Sequence, residues 1–266
     1  MIRIGSEMLT DVDWSDQIRP FQQSILLQMM QGRQLYTFGD QHQLQFELQL
    51  RESIVKAAGD LYRSGVQYAV FEDSRCNPRY WILTPQGGFR LRPDVRSSAA
   101  ITDIYQNGHL YAFECATAMV IVLYKAVLDV LDPNVFDRLF DHLLLWAWQY
   151  DQDLGLTTKK RFEYLPGDIV YFKNPDVNPA TPEWQGENAV IMGGGLYYGH
   201  GIGITTAEAI IMALNANRRP GATRSAYLMD QATRPNFRYL SQFARPVRIY
   251  VQRIGNAVYR WTDAHF

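Results

Sequence analysis

Cys115 sits in the run Y-A-F-E-C-A-T-A-M-V-I-V-L-Y-K, residues 111–125, directly after a glutamate and at the entry to the most apolar segment of the chain. A thiol is a poor nucleophile until it ionises, and the free N–H groups and positive dipole end of a helix start favour the thiolate. The same N–H groups suit the oxyanion of a tetrahedral intermediate. A helix apolar on nearly every side is held by packing, and so holds its first residue in place. The competing reading is inert packing, because free cysteine is among the most buried residue types. Cys76, set among Arg and Pro, takes that reading or a surface one.

A nucleophilic cysteine needs a base. Among five histidines, His200 stands in Y-Y-G-H-G-I-G-I, which reads as strand with glycines that let another element approach closely. His42, His142 and His265 read as surface residues, and His109 competes only through its nearness to Cys115 in sequence. Two carboxylates are further candidates. Glu114 precedes Cys115 and suits the helix dipole equally well. Glu187, in W-Q-G-E-N-A-V-I-M, lies just before a strand, where desolvation would raise its pKa toward acid–base work; a solvated turn is the plainer alternative.

The elements that must position these groups read as helices first and strands later. A helix is predicted over 14–30, with Ser15 as a cap, Pro20 near its start and Gly32 as its end. Residues 43–50 alternate like a strand, yet their Gln, Glu and Leu favour the helix predicted on to residue 63. Residues 74–97 are rich in Pro, Gly and Arg and read as a connector or surface segment in which function could reside. Helices are predicted over 98–106, over 115–131 and in P-N-V-F-D-R-L-F-D-H. Short strands follow at 168–172, 188–192 and 196–198. Gly193–Gly195 reads as a turn, since no phosphate-loop pattern is present. Thr205 and Glu208 have capping-box spacing ahead of a further helix. V-R-I-Y-V-Q-R-I, G-N and A-V-Y-R-W read as a hairpin turning at Gly255–Asn256. The order implies an α+β fold.

Composition narrows the function classes. Lys+Arg 26 against Asp+Glu 27 gives a net charge of -1, so no bulk positive field exists to hold nucleic acid or an anionic membrane. Two cysteines without metal-ligand spacing give no disulfide scaffold and no zinc site. The N-terminal M-I-R-I-G-S-E-M-L-T-D lacks the apolar core of a secretion signal, so synthesis in the cytoplasm is expected. The apolar run at 115–131 carries Lys125 and Asp129 and falls short of the roughly 20 residues of a membrane span.

Six blocks in order, C-N-P-R-Y-W, G-G-F-R-L-R-P-D-V, Y-A-F-E-C-A-T-A-M-V-I, G-D-I-V-Y-F-K-N-P-D, W-Q-G-E-N and H-G-I-G-I, resemble the protein-glutamine gamma-glutamyltransferase family of spore-forming bacilli, the spore-coat transglutaminases. The resemblance runs to about residue 245. It implies a fold similar to the papain-like NlpC/P60 hydrolases, with the nucleophile at the start of a buried helix packed on an antiparallel sheet. It also implies no cofactor and no calcium or other metal, and γ-glutamyl-lysine cross-linking of spore coat proteins that supply Gln and Lys side chains. By the same resemblance Cys115 matches the nucleophile, Glu187 the main acid/base partner, Glu114 a secondary carboxylate and His200 a site histidine.

On that reading the chain forms one catalytic domain, 1–266, with a mainly helical part at 1–105, a catalytic core at 106–245 and a C-terminal extension at 246–266. A site that favours an amine over water needs apolar and aromatic walls. Trp184 and Tyr171, which neighbour the strand blocks, are the candidates. A cysteine hydrolase that gives its thioester to water is the alternative, and a structural coat protein on a retired enzyme scaffold is a third reading.

Overall fold

The computed structural model describes residues 1–9, 18–161 and 163–244, and the backbone of two further strands at 249–254 and 257–262. The chain begins with β1 (Ile2–Ile4), β2 (Glu7–Met8), α1 (Pro20–Gln31), β3 (Tyr36–Phe38) and the long helix α2 (Gln41–Arg63). Next come β4 (Gln67–Tyr68), β5 (Trp81–Leu83), β6 (Phe89–Leu91), α3 (Ser97–Gln106), β7 (Ala112–Phe113), α4 (Cys115–Val130), α5 (Pro133–Leu139) and β8 (Leu144–Leu145). The strand-rich part follows as β9 (Thr157–Lys160), β10 (Ile169–Lys173), β11 (Gly186–Gly193), β12 (Leu196–Gly199), β13 (Gly203–Thr206), α6 (Ala207–Ala216), β14 (Tyr227–Arg234) and α7 (Phe237–Ser241). The last pair, β15 (Ile249–Ile254) and β16 (Ala257–Thr262), is antiparallel, and its turn residues 255 and 256 lie outside the described residues.

Helix α1 starts at Pro20, later than the sequence suggests. The residue before a proline avoids helical backbone, and Arg19 is extended, with φ -68° and ψ 156°. The predicted cap Ser15 lies outside the described residues. Gly32 does end the helix, and its N–H reaches the Gln28 carbonyl at 3.0 Å.

Helix α2 resolves the strand-like alternation of its first turns. Leu44 and Leu48 pack into an N-terminal cluster with Ile2, Ile25 and Phe38. Phe46 and Leu50 belong to the main core with α4. Positions two apart lie on opposite sides of a helix, so a helix serving two cores imitates a strand in sequence.

Helix α4 runs through the middle of that main core, with Val120, Ile121, Val122 and Leu123 wholly buried. Each such side chain contributes about 1.5–3 kcal/mol by leaving water, so the first residue of α4 is firmly anchored. Asp132 caps α5 by accepting the Asn134 N–H at 2.9 Å, and Pro133 follows at its first position. The 74–97 segment is no loose connector: β5 and β6 form a hairpin extended by β8, with Trp81 and Phe89 in the core.

Among the described residues the largest sheet has six strands in the order β13-β12-β11-β10-β14-β9, every pair antiparallel. One face meets α4 and α2 through Ile169, Val190 and Tyr198. The other, with Phe172, Ala189 and Ile191, is covered by α6 through Ile210 and Leu214. The cap of α6 is Thr206, one residue beyond the predicted Thr205, because sheet pairing continues through Thr206, opposite Leu196, and the helix begins only after it. The architecture is mixed α+β. Among the described residues no helix is long and apolar enough to cross a membrane.

Candidate active site

Cys115 is the first residue of α4, and β11 crosses in front of it. The Asn188 side-chain amide lies 3.5 Å from the sulfur. Sequence reasoning missed Asn188, although it is the residue after Glu187 in the W-Q-G-E-N block. Both its side chain and its backbone N–H point hydrogen-bond donors at the sulfur and favour the thiolate. They are outweighed: burial first, then the fields of Glu187 and Glu114, push the Cys115 thiol well up.

Glu114 explains why the helix start does not ionise the thiol by itself. Its carboxylate caps α4, accepting the Ala116 and Thr117 N–H groups at 2.6 Å each and the Thr117 hydroxyl at 2.7 Å. Two of the first-turn donors are therefore occupied, and a negative charge stands where the helix end is positive.

Glu187 is 6% exposed, and its Oε1 has no hydrogen-bond partner among the described residues. Burial raises its pKa well above the carboxylate range and Glu114 adds to that, while the His200 backbone N–H acts against them. Local sequence makes the room. A Cβ on Gly199 would meet the Glu187 Oε1 at 2.9 Å, and one on Gly186 would meet the Tyr171 hydroxyl oxygen at 2.2 Å.

His200 is placed differently from a catalytic base. It lies in the turn after β12, not within a strand, and is buried. Its Nε2 is 3.1 Å from the Phe113 carbonyl oxygen, which can only accept, so Nε2 carries the proton; Nδ1 then accepts the Tyr198 hydroxyl at 3.1 Å. Burial pulls its pKa down to about 4, and its ring stacks on Phe113 at 4.9 Å between centroids. Both nitrogens are occupied, and the ring buttresses β7, two residues before the nucleophile.

A cavity of about 700 Å³ opens over Cys115, with Tyr68, Phe71, Trp148 and Tyr171 among its walls and Asn188 and Glu114 beside the sulfur. Tyr171 thus takes the predicted position. Trp184 does not; its ring packs with the cluster on the α6 side of the sheet, while its neighbours Glu183 and Gln185 line the cavity. Trp148 and Phe71 were not singled out from the sequence, where nothing distinguishes them from core aromatics. No residue of 74–97 lines this cavity. Cys76 is half-buried against the main core, and burial raises its pKa to about 11.

Ala147, also in the cavity wall, has left-handed backbone with φ 49°. Its N–H donates to the Thr117 hydroxyl at 2.9 Å, so the strained peptide is tied to the cap that holds the nucleophile. Such backbone in a non-glycine residue costs about 1–3 kcal/mol and collects at functional sites.

A cysteine on a buried helix start, a desolvated carboxyl beside it and an aromatic-walled cavity define a thiol-dependent acyl-transfer site. The chain matches the model of the protein-glutamine gamma-glutamyltransferase family over residues 1–244, and it belongs to that family. It is 48% identical over 235 residues to the protein-glutamine gamma-glutamyltransferases of Bacillus mycoides (strain KBAB4) and Bacillus cereus (strain AH820), covering 87% of this chain and 85% of each relative. A transglutaminase from Geobacillus stearothermophilus, described as without C-terminal extension, superposes with a TM-score of 0.75 at 59% identity, covering 77% of this chain and 99% of that one.

Proposed function

We propose that the chain joins proteins through γ-glutamyl-lysine bonds by a Cys115 thioester, with Glu187 as the proton-transfer group. The observation that carries the proton assignment is the buried Glu187 carboxyl, which has an unpartnered oxygen and acts on the thiol through its field. Cys115 gives its proton to Glu187 and attacks the carboxamide carbon of a glutamine side chain. The tetrahedral intermediate collapses as Glu187 returns the proton to the leaving nitrogen, and ammonia departs. A lysine amine then attacks the thioester, losing its proton to Glu187, and the thiol is released. Asn188 stands where it can steady negative charge during both steps. Glu114 fixes the helix start and keeps the local field negative, and His200 positions β7.

The raised pKa of Glu187 suits this exchange, because an acid–base group works best when its pKa approaches the operating pH. Aromatic walls favour the aliphatic stem of lysine over water. The reading includes a papain-like arrangement, a single catalytic unit in which α2 packs on α4, independence from calcium, and spore coat proteins as substrates. The last draws on the Bacillus relatives.

The test is incorporation of a fluorescent primary amine into a glutamine-rich protein with chelator present, with ammonia recorded alongside. Incorporation that vanishes in Cys115→Ala and falls by about 10²–10⁴ in Glu187→Gln supports the reading. Ammonia release without incorporation would make the protein a glutamine hydrolase, and loss of activity with chelator would remove calcium independence.

A further inference from the structure

A second cavity, of about 450 Å³, lies on the opposite face of β9 and β14, lined by Thr157, Lys159 and Arg234 where the reactive one is lined by Thr158 and Thr233. Its walls carry Lys159, Arg161, Arg234 and Arg238 against a single acid, Glu47. Beneath it Arg51 and Asp168 form a buried ion pair at 2.7 Å. With Arg51, Asp168 and the nearby Glu163 counted, five basic groups against three acidic ones leave a local charge of +2, in a chain whose net charge is -1. Glu163, near the rim, is occupied by the Arg33 and Gln34 N–H groups.

Most of this charge is not balanced inside the fold. Asp168 is saturated: it receives Arg51 at 2.7 Å, Arg234 at 2.7 and 2.6 Å and the Leu165 N–H at 3.0 Å. Among the described residues Arg161 has no acid of its own. Its buried Nε lacks a hydrogen-bond partner among the described residues, and burial and the neighbouring Arg234 both work against its charge. The Tyr36 hydroxyl, on a side chain 6% exposed, has no acceptor for its proton among the described residues, although Arg234 lies within reach as a donor to its oxygen. The charged groups acting on it are Arg234, Arg51 and Asp168. Arginine cannot accept its proton, and Asp168 is already fully engaged.

A buried hydroxyl facing guanidinium groups and an unpaired guanidinium beside it both lack the same thing, an acceptor. Leaving such groups unsatisfied costs about 1–3 kcal/mol each. One oxyanion would satisfy both, and would offset the mutual repulsion of Arg161, Arg234 and Lys159.

We propose that this cavity binds a small oxyanion, a phosphate or a carboxylate, between Tyr36, Arg161 and Arg234. The bound group would tie β3 and β9 to the start of α7, where Arg238 closes the ring of charges. Arg234 also anchors the site from below, through Asp168, so the ligand meets a guanidinium already fixed in place.

The experiment is calorimetric titration of the intact chain, first with inorganic phosphate and then with malonate, at ionic strength held constant with sodium chloride. Thermal melts across the same series accompany it. Saturable binding at one site is expected, and the stronger of the two titrants assigns the chemistry. Tyr36→Phe, which removes one hydroxyl, raises Kd by about tenfold. Arg161→Gln raises it further, and in chloride alone this variant melts above the parent because an unpaired half-buried cation has gone. General salting effects of phosphate also raise melting temperatures, but they do not saturate and do not depend on Arg161. Absence of heat with both anions would show that water alone fills the cavity and overturn the proposal; so would unchanged affinity in Arg161→Gln. Cys115→Ala should bind as the parent does, which keeps this result separate from the outcome of the activity assay.

Discussion

Asp168, just before β10, and Glu187, on the neighbouring strand β11, are both buried carboxylates, and their surroundings drive them in opposite directions. For Asp168, burial alone would raise the pKa, yet Arg51 and Arg234 outweigh it and hold the group below the usual carboxylate range. For Glu187, burial raises the pKa and the nearest charge, Glu114, is of the same sign. The first carboxylate is locked as an anion and can only tie the molecule together. The second is driven toward its neutral form and is left able to exchange a proton. Burial is common to both, so the sign of the neighbouring charge separates a structural group from a reactive one.

Replacing each carboxyl by its amide should break the comparison most sharply. Asp168→Asn leaves two guanidinium groups facing a neutral amide and is expected to cost about 3–5 kcal/mol. Because the folded pKa of Asp168 is depressed, its contribution is present above the ordinary Asp range and is lost as the pH falls through the folded value. The gap between Asp168→Asn and the parent should therefore narrow in acid. Glu187→Gln should do the reverse. With a raised folded pKa, Glu187 favours the fold at low pH, and that advantage is lost as the pH rises through the folded value. The variant should match the parent near pH 5 and exceed it near pH 9, while its amine incorporation collapses. Urea unfolding at the two pH values reads both cases; equal destabilisation of Glu187→Gln at each would mean that its carboxyl is a structural group after all.

His200 sharpens the same contrast with a smaller effect. It is buried as the neutral imidazole, with a pKa near 4. A base with a depressed folded pKa contributes stability above its unfolded value of about 6.5 and loses it as the pH falls toward the folded one. Over that interval the parent should lose about 3 kcal/mol more than His200→Gln. Amine incorporation provides the second readout. A buttress for β7 predicts that His200→Gln retains most of its kcat, whereas a general base predicts loss on the scale of Glu187→Gln.

Much of this was legible in the sequence, and the exceptions have physical causes. An apolar run after E-C announced α4 because its composition admits only burial. Glu187 was read as lying just before a strand, where a solvated turn was the plainer alternative; β11 begins one residue ahead of it and buries it, which local sequence does not announce. The alternation in residues 43–50 was ambiguous because α2 faces two cores. His200 matched the expected base by residue type, but which groups take its two nitrogens depends on Phe113 and Tyr198 and on how the strands meet. Trp184 and Trp148 could not be told apart, since which face of an element meets the cavity is decided by tertiary packing. The use of the α4 N–H groups by Glu114 was half visible: its position pointed to the helix end, but not to the loss of those donors for catalysis.

The smallest predicted effect concerns Ala147. Left-handed backbone in an alanine survives only where its surroundings over-determine it. Here the restraint is the hydrogen bond from its N–H to Thr117, which in turn binds the Glu114 carboxylate. Glycine adopts this backbone without strain, but it adds freedom to the unfolded chain worth about 0.4–1 kcal/mol. The relief in the folded state exceeds that loss, so Ala147→Gly should gain at most about 1 kcal/mol in urea unfolding. If the variant is instead destabilised, the Ala147 methyl group in the cavity wall contributes more through packing than its backbone costs. If stability rises while amine incorporation falls, the strained peptide is holding the Glu114–Thr117 cap in the register that Cys115 needs.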